Sequence, residues 1–329
     1  MGKKVFQLGR LHGSCVALPT PFRYGTVDFP ALERLCHRQI DHGTAALVPC
    51  GTTGEAPLLS PGEHHRVIAA TVAAAAGRVP VIAGAGSNST ETSIALARSA
   101  ELAGAQALLC VAPYYLKPTQ TGLIAHFSAI HDAVGLPIIL YDVPSRTACP
   151  IADATIKRLA ELPRIVGLKD ATGDIARVGR LRRHLGEKQG GEKHAGEPFV
   201  LLSGDDASQA AYRLAGGDGC ISVTANVTPA LCAALHKACD EHASSAIAHL
   251  ESVLAPLHAA LFIEANPIPV KRALQHLGLM VDGLRLPLTP LSAQADAWLA
   301  EVLKAVVPLE EAETRRIAAA RPILKPRAA

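Results

Sequence analysis

The stretch Arg164-Ile-Val-Gly-Leu-Lys-Asp-Ala-Thr-Gly173 joins a short apolar run to a lysine and a turn. Such a run, bounded by turn residues, is typical of a buried strand, and Lys169 stands where the strand should end. Burial disfavours the charged form of an amine, and a neutral amine can attack a carbonyl carbon to form a Schiff base. Alternatively, Lys169 only ends the strand and points to water, as most lysines do.

Short apolar runs alternate with longer amphipathic segments on both sides of this stretch, up to about residue 225. This alternation is typical of repeated strand–helix units. Strands are predicted at residues 15–18, 45–50, 80–83, 107–112, 137–141, 164–169, 199–203 and 219–223. Helices are predicted near residues 28–42, 62–76, 91–103, 120–133, 152–161, 174–185 and 206–215. Eight strands in one run favour an α/β fold of the (β/α)8 (TIM) barrel type over an open, doubly wound sheet.

The pattern divides the chain of 329 residues into two parts. We expect residues 1–228 to form the barrel and carry the active site, and residues 229–329 to form a C-terminal helical appendage. The helical pattern ends near Val306, and a flexible tail is expected after Val307. The glycine-rich, charged segment 186–196 is predicted to be a flexible insertion between a helix and a strand.

Composition narrows the possible functions. The chain has 32 basic and 29 acidic residues, which leaves no broad positive surface for nucleic acid. No apolar stretch is long enough to span a membrane, and no signal sequence is recognisable, so we expect a cytoplasmic protein. The eight cysteines include no Cys-x-x-Cys pair and the fourteen histidines no His-Glu-x-x-His motif. We therefore expect buried thiols and no metal site.

Polar residues follow several predicted strands, and the carboxyl ends of barrel strands are where active sites form. Gly51-Thr-Thr-Gly-Glu55 offers backbone N–H groups and hydroxyls to a small carboxylate; otherwise it is an ordinary turn. Pro113-Tyr-Tyr115 follows the fourth strand. Tyr141 ends the fifth, where its phenol either relays protons or serves structure. Arg146 is either a clamp for a carboxylate or a surface charge.

The chain resembles the dihydrodipicolinate synthase family, within the pyruvate-dependent class I aldolase superfamily, from about Gly13 to Leu303. Six ordered blocks carry the resemblance and are specific to the superfamily. They are Gly51-Thr-Thr-Gly-Glu55, Tyr141-Asp-Val-Pro-Ser-Arg-Thr147, Gly167-Leu-Lys-Asp-Ala-Thr-Gly173, Leu202-Ser-Gly-Asp-Asp206, Ile221-Ser-Val-Thr-Ala-Asn226 and Asn266-Pro-Ile-Pro-Val-Lys271. The resemblance favours the functional interpretation of Lys169.

The resemblance implies a mechanism in which Lys169 forms an imine with pyruvate, whose carboxylate lies against Thr52 and Thr53. Tyr141 is then the proton donor and acceptor, linked through the Thr53 hydroxyl to Tyr115 of a neighbouring subunit. The enamine attacks the aldehyde of L-aspartate 4-semialdehyde, and ring closure gives 4-hydroxy-tetrahydrodipicolinate. The imine itself is the electron sink, so neither a metal nor an organic cofactor is implied.

The same resemblance implies further binding residues and an assembly. Arg146 is expected to hold the carboxylate of the semialdehyde, and Gly204 and Ile221 correspond to positions that line the pyruvate pocket. The expected assembly is a homotetramer built as a dimer of dimers.

Three functions remain in view. The Thr-Thr pair after the second strand and the segment Ser145-Arg-Thr147 favour a synthase of lysine and diaminopimelate biosynthesis. An N-acetylneuraminate lyase or another 2-oxo sugar acid aldolase is the alternative, although sialic acid lyases usually have Ser-Thr in the first position and lack this arginine arrangement. A catalytically silent barrel is the third, and the presence of the lysine, tyrosines and arginine argues against it.

The chain departs from feedback-sensitive relatives at the lysine-binding site that the resemblance implies. Pro61 and Thr92 stand where those relatives have a histidine and a glutamate. Without that glutamate the ammonium group of lysine lacks a carboxylate, unless the neighbouring Glu91 replaces it. We therefore expect lysine to inhibit weakly. The other aligned positions match: His64, Asn88 and Tyr114.

Overall fold

The computed structural model describes residues 11–186, 199–281 and 283–320. Within these residues, eight strands form one parallel sheet: β1 Gly13–Ala17, β2 Ala46–Val48, β3 Ile82–Gly84, β4 Ala107–Val111, β5 Ile138–Asp142, β6 Ile165–Asp170, β7 Val200–Ser203 and β8 Gly219–Ser222. Hydrogen bonds join them in the order β2-β1-β8-β7-β6-β5-β4-β3. A parallel bridge between Leu47 and Val81 joins the two ends of this row. The predicted (β/α)8 barrel is confirmed, and each predicted strand overlaps one of these strands.

The strands form because short apolar runs can bury both faces of a parallel sheet. Successive side chains point to opposite faces. Cys15 and Ile139 pack inside the barrel with Tyr141, whereas Val16 and Leu140 pack outward against the helices. The identity of the last inward-facing residue of each strand therefore decides what reaches the mouth of the barrel.

Seven helices cover the outside of the strands in the described part of the barrel: α1 Phe29–Asp41, α2 Pro61–Ala75, α3 Thr90–Leu102, α4 Gln120–Ala133, α5 Asp153–Leu159, α6 Ala176–Gly186 and α7 Gln209–Leu214. Each overlaps a predicted helix. Four of them begin at Asp28, Ser60, Ser89 and Thr119, whose side chains accept a hydrogen bond from the backbone N–H three residues on. These caps satisfy donors that the first helical turn leaves unpaired.

Four further helices follow the last strand: α8 Pro229–Asp240, α9 Ser244–Leu261, α10 Ile268–His276 and α11 Ala293–Ala320. Helix α8 packs against β1, and α9 and α11 pack against α8. The proposed division at residue 228 thus lies just before a helix that occupies the eighth position in the outer layer of the barrel. No helix in the described residues is both long and apolar enough to cross a membrane.

The last helix extends beyond Val306, where the sequence pattern was expected to end. The buried carboxylate of Glu310 accepts hydrogen bonds from the backbone N–H groups of Ala230, at 2.9 Å, and Leu231, at 3.0 Å. It caps the start of α8 and thereby holds α11 against the barrel. Residues 308–320 of the predicted tail are therefore helical. Residues 321–329 and residues 187–196 of the predicted insertion lie outside the described residues.

Besides the 3₁₀ turns Ala56–Leu58 and Thr224–Asn226, two short elements of the described residues were not predicted. A hairpin pairs Phe22–Arg23 with Thr26–Val27, and a single helical turn, Pro144–Thr147, follows β5. Both are shorter than the windows over which hydrophobic periodicity can be read. All eight cysteines are buried with free thiols, as predicted.

Candidate active site

A cavity of about 400 Å³ lies where several barrel strands end. Six of the eight predicted site residues line it: Thr52, Thr53, Tyr141, Arg146, Lys169 and Gly204. They come from the ends of β2, β5, β6 and β7, which are far apart in sequence. The barrel is what brings them into one space.

Lys169 lies near the end of β6, and only 6% of its surface is exposed. Strands β5 and β6 pair in parallel with Tyr141 opposite Lys169, which places both side chains on the inner face. The Lys169 Nζ atom lies 4.2 Å from the centre of the Tyr141 ring. A candidate nucleophile and a candidate proton-transfer group are therefore neighbours.

Gly204 follows β7 and leaves room for the lysine side chain. A Cβ atom at this position would lie 2.7 Å from Ala171 Cβ and 3.1 Å from Lys169 Cε. Close-packed interiors do not absorb such contacts without a shift. The Gly204 backbone N–H also donates to the Asp170 carbonyl at 2.7 Å. Only glycine allows this close approach of the two strand ends.

A buried ion network supports Tyr141 and Lys169 from behind. Asp142 and Asp170 are the next residues along their strands and lie opposite each other. The Nη1 atom of Arg177 in α6 donates to Asp142 at 2.8 Å and to Asp170 at 3.4 Å. Burial lowers the pKa of the Arg177 guanidinium, but Asp170, Asp142 and Asp153 together outweigh burial and raise that pKa overall. The Arg177 guanidinium is therefore charged, although burial also raises the pKa of the Asp142 carboxyl. Its hydrogen bonds tie together the two strand ends that carry the reactive side chains.

The loop after β2 presents Thr52 and Thr53 to the cavity. Thr53 is buried, and its Oγ1 accepts a hydrogen bond from Asn266 Nδ2 at 3.0 Å. Thr52 also lines a second cavity of about 360 Å³, which shares Tyr141 and Arg146 with the first. Two hydroxyls in a turn are suited to bind a small carboxylate.

Arg146 lies on the helical turn after β5 and lines both cavities. Its Nη2 atom donates to the backbone carbonyl of Asn266 at 3.4 Å. Asn266 itself lines both cavities but was not predicted as a site residue. The signal was present, because Asn266 begins one of the six blocks that carry the family resemblance.

Two of the predicted site residues line neither of these cavities. Ile221 lies on β8 in the inner core cluster that includes Tyr141, and Val223, two residues on, lines the first cavity. Tyr115 follows β4 with φ of 72° and is 84% exposed. Its side chain therefore lies outside the site of its own chain.

The thiol of Cys15 is buried in the barrel, and the charge of Lys169 affects its pKa. Burial raises the pKa of the Cys15 thiol to about 12, and the charge of Lys169 offsets this only in part. A thiol with this pKa is protonated near neutral pH and is a poor nucleophile.

Among the described residues, no three His, Cys, Asp or Glu side chains come together as a metal site requires.

Known proteins are similar to this chain in sequence and in fold. The family model described as "Dihydrodipicolinate synthetase family" matches residues 10–306. A protein of Hyphomonas neptunium named 4-hydroxy-tetrahydrodipicolinate synthase is 51% identical over 288 residues, which cover 88% of this chain and 96% of that protein.

Solved structures of proteins with the same family name are also similar to this chain. The chloride-inhibited dihydrodipicolinate synthase of Acinetobacter baumannii, complexed with pyruvate, is 44% identical, with a TM-score of 0.85 over 90% of this chain and 99% of that one. A dihydrodipicolinate synthase variant described as monomeric is 38% identical, with a TM-score of 0.86 over 91% of this chain and 97% of that one. On the family match and these similarities, the chain belongs to the dihydrodipicolinate synthetase family.

Proposed function

We propose that this protein condenses pyruvate with L-aspartate 4-semialdehyde through a Schiff base at Lys169 and so forms 4-hydroxy-tetrahydrodipicolinate. One observation carries the assignment of the site: the buried Lys169 Nζ lies 4.2 Å from the Tyr141 ring, in a cavity that also contains two threonines and an arginine. The activity is that of a lyase of lysine and diaminopimelate biosynthesis, and we assign it to the cytoplasm.

The first half of the reaction uses the lysine and the hydroxyl loop. The pyruvate carboxylate binds against Thr52 and Thr53 while the Lys169 amine attacks the ketone carbon, and loss of water gives the imine. The imine nitrogen withdraws electrons from the adjacent methyl carbon, so that loss of a proton yields an enamine. Tyr141 carries protons in these steps.

The relay of protons passes from Tyr141 through the Thr53 hydroxyl to Tyr115 of a second copy. Because Thr53 Oγ1 accepts a hydrogen bond from Asn266, its own proton is available for donation. The enamine carbon then attacks the semialdehyde, whose carboxylate is held by Arg146. The amino group of the semialdehyde finally displaces Lys169 from the imine carbon, which closes the ring and regenerates the enzyme.

The semialdehyde is favoured over a sugar acid as the second substrate. A sugar-acid aldolase would use the same lysine and tyrosine, so the lysine alone does not distinguish the two. Proteins named 4-hydroxy-tetrahydrodipicolinate synthase match this chain at about half identity over nearly their whole length. These similarities favour the synthase.

Borohydride reduction in the presence of pyruvate, followed by peptide mass mapping, tests the nucleophile, and rates with the semialdehyde and with N-acetylmannosamine test the second substrate. We expect a pyruvyl adduct on Lys169 and turnover with the semialdehyde. An adduct with turnover only of the amino sugar would support the aldolase. Absence of any adduct on Lys169 would contradict the mechanism.

We propose a homotetramer, a dimer of dimers, in which Tyr115 completes the site of a partner. The exposure of Tyr115 supports this, and the monomeric relative indicates that the same fold does not fix one assembly state. Tyr115→Phe should lower kcat about a hundredfold, the lower end of what a proton-transfer group contributes, without changing the mass of the assembly. Tyr24→Phe, at another exposed tyrosine, is the control. Unchanged kcat in Tyr115→Phe would remove the hydroxyl from the relay.

Lysine should inhibit the enzyme only weakly. Thr92, in the first turn of α3, supplies no carboxylate, and His64 is buried with its Nε2 bonded to the Gly84 carbonyl at 2.9 Å. Burial lowers the pKa of His64, so this ring is neutral near pH 7. Initial rates at increasing lysine concentration measure the effect, and Thr92→Glu should increase the sensitivity. Strong inhibition of the unaltered enzyme at submillimolar lysine would show that Glu91 replaces the missing carboxylate.

A further inference from the structure

The block Asn266-Pro-Ile-Pro-Val-Lys271 leads into α10 and contacts the loop Thr52–Glu55 at two points. Asn266 donates to Thr53, and Lys271 forms an ion pair with Glu55. The ion pair has no part in the reaction steps above, and the contact from Asn266 enters them only through the direction of the Thr53 hydroxyl proton. We propose that Asn266, Lys271 and Glu55 are positioning residues that hold the two threonine hydroxyls in their carboxylate-binding geometry. The inference rests on the proposed function, with pyruvate as the ligand.

The loop needs such support because of its backbone conformation. Cys50, shortly before the loop, and Glu55, its last residue, have φ angles of 56° and 54°. These left-handed conformations are unfavourable for residues that have a Cβ atom, and they persist where surrounding contacts hold them. A loop released from those contacts would relax and move its hydroxyls.

The ion pair supplies a contact of the required kind. The side chains of Glu55 and Lys271 are both 0% exposed. The second carboxylate oxygen of Glu55 accepts a hydrogen bond from the Arg285 backbone N–H at 3.2 Å. Lys271 Nζ lies 4.4 Å from the centre of the Phe22 ring, a favourable position for a cation. The carboxylate that ends the loop is thus fixed from two directions.

Stability alone does not account for this pair. A buried ion pair contributes little more to folding than a well-packed apolar pair of the same size, because both charges lose their hydration. The geometry of a buried ion pair, in contrast, is tightly constrained, because each charged group must stay in contact with its partner. A pair placed two residues from Thr53 therefore transmits the position of α10 to the hydroxyl loop.

Asn266 extends the support to the second carboxylate-binding group. Its side chain donates to Thr53 while its backbone carbonyl accepts from Arg146. One residue thus contacts both the loop assigned to pyruvate and the arginine assigned to the semialdehyde. A side-chain change at Asn266 should disturb the first contact and leave the second in place.

The test measures pyruvate binding without the aldehyde. The yield of the borohydride-reduced adduct on Lys169 is followed as a function of pyruvate concentration in the unaltered enzyme, the double variant Glu55→Gln/Lys271→Met, and Asn266→Ala. The double variant removes both charges, so that no unpaired buried charge remains. We expect the half-saturating pyruvate concentration to rise about tenfold in each, the effect of weakening roughly one hydrogen bond to the carboxylate. The same plateau yield should be reached.

Arg272→Met is the matched control, because Arg272 lies on the same helix but pairs with Asp296 of α11 at 2.8 Å. Its half-saturating concentration should be that of the unaltered enzyme. Variants that lose thermal stability but keep the original half-saturating concentration would overturn the inference. If the double variant does not fold, Asn266→Ala decides the question by the same measurement. Failure of the proposed function is distinct, because the unaltered enzyme would then form no adduct.

Discussion

Lys169→Gln is expected to abolish the pyruvyl adduct and to lower turnover by about a thousandfold or more, since removal of a covalent nucleophile costs several orders of magnitude. The fold should survive. Glutamine is close to lysine in length, and Lys169 contributes no ion pair to the described structure; its Nζ lies against the Tyr141 ring instead. Mass spectrometry after reduction and steady-state rates measure the two effects.

Lys304→Gln provides the control, because its ammonium group pairs with Glu301 on the exposed surface of α11. Adduct formation and turnover should be unchanged in this variant. Equal thermal unfolding midpoints for both variants would separate lost chemistry from lost structure. A residual adduct in Lys169→Gln would mean that another amine is the nucleophile.

Much of the fold could be predicted from the sequence because each barrel strand is encoded by a short contiguous segment. Each strand is a short apolar run, and its end is marked by a polar residue or a turn, as with Tyr141 and Lys169. Parallel register then places such ends on one rim, so Thr52, Thr53, Tyr141 and Lys169 could be proposed from strand ends, whereas Gly204 and Ile221 came only from the family resemblance. The site residues and their roles were also implied by the family resemblance.

Contacts between distant segments were not accessible in this way. Asn266 and Thr53 are 213 positions apart, and Glu310 accepts a capping hydrogen bond from Ala230, 80 positions earlier. No periodicity relates such residues, because their proximity is set by how helices pack on the barrel. The extension of α11 beyond Val306 was missed for this reason.

The alternation of side chains along a strand gives β5 and β6 two functions. Tyr141 and Lys169 face the cavity, and the next residues, Asp142 and Asp170, face α6, where Arg177 joins them. The reactive pair and its support therefore share the same two strand ends. A change in the support is expected to affect both stability and the geometry of the reactive pair.

Arg177→Met should destabilise the protein by about 3–5 kcal/mol, the cost of leaving buried carboxylates without their partner. Arg177 also donates to Asp153 at 2.7 Å and to the Ile151 carbonyl, so the variant loses contacts with three strand and helix ends at once. Unfolding in urea, followed by circular dichroism, should show a lower midpoint. Adduct formation on Lys169 should also slow, because Arg177 no longer links Asp142 at the end of β5 to Asp170 at the end of β6.

Arg180→Met is the control for Arg177→Met. It removes an arginine three residues further along α6 that also forms ion pairs but is more exposed, so the comparison shows whether burial of the ion pairs decides the loss of stability. Arg180 pairs with Asp153 and Asp174, but its side chain is 40% exposed, and exposed ion pairs contribute little because water and salt screen them. We expect its urea midpoint to stay near that of the unaltered protein. Equal midpoints for the two arginine variants would show that the buried network does not hold the strand ends. The positions of Tyr141 and Lys169 would then depend on the pairing of β5 with β6 and on packing.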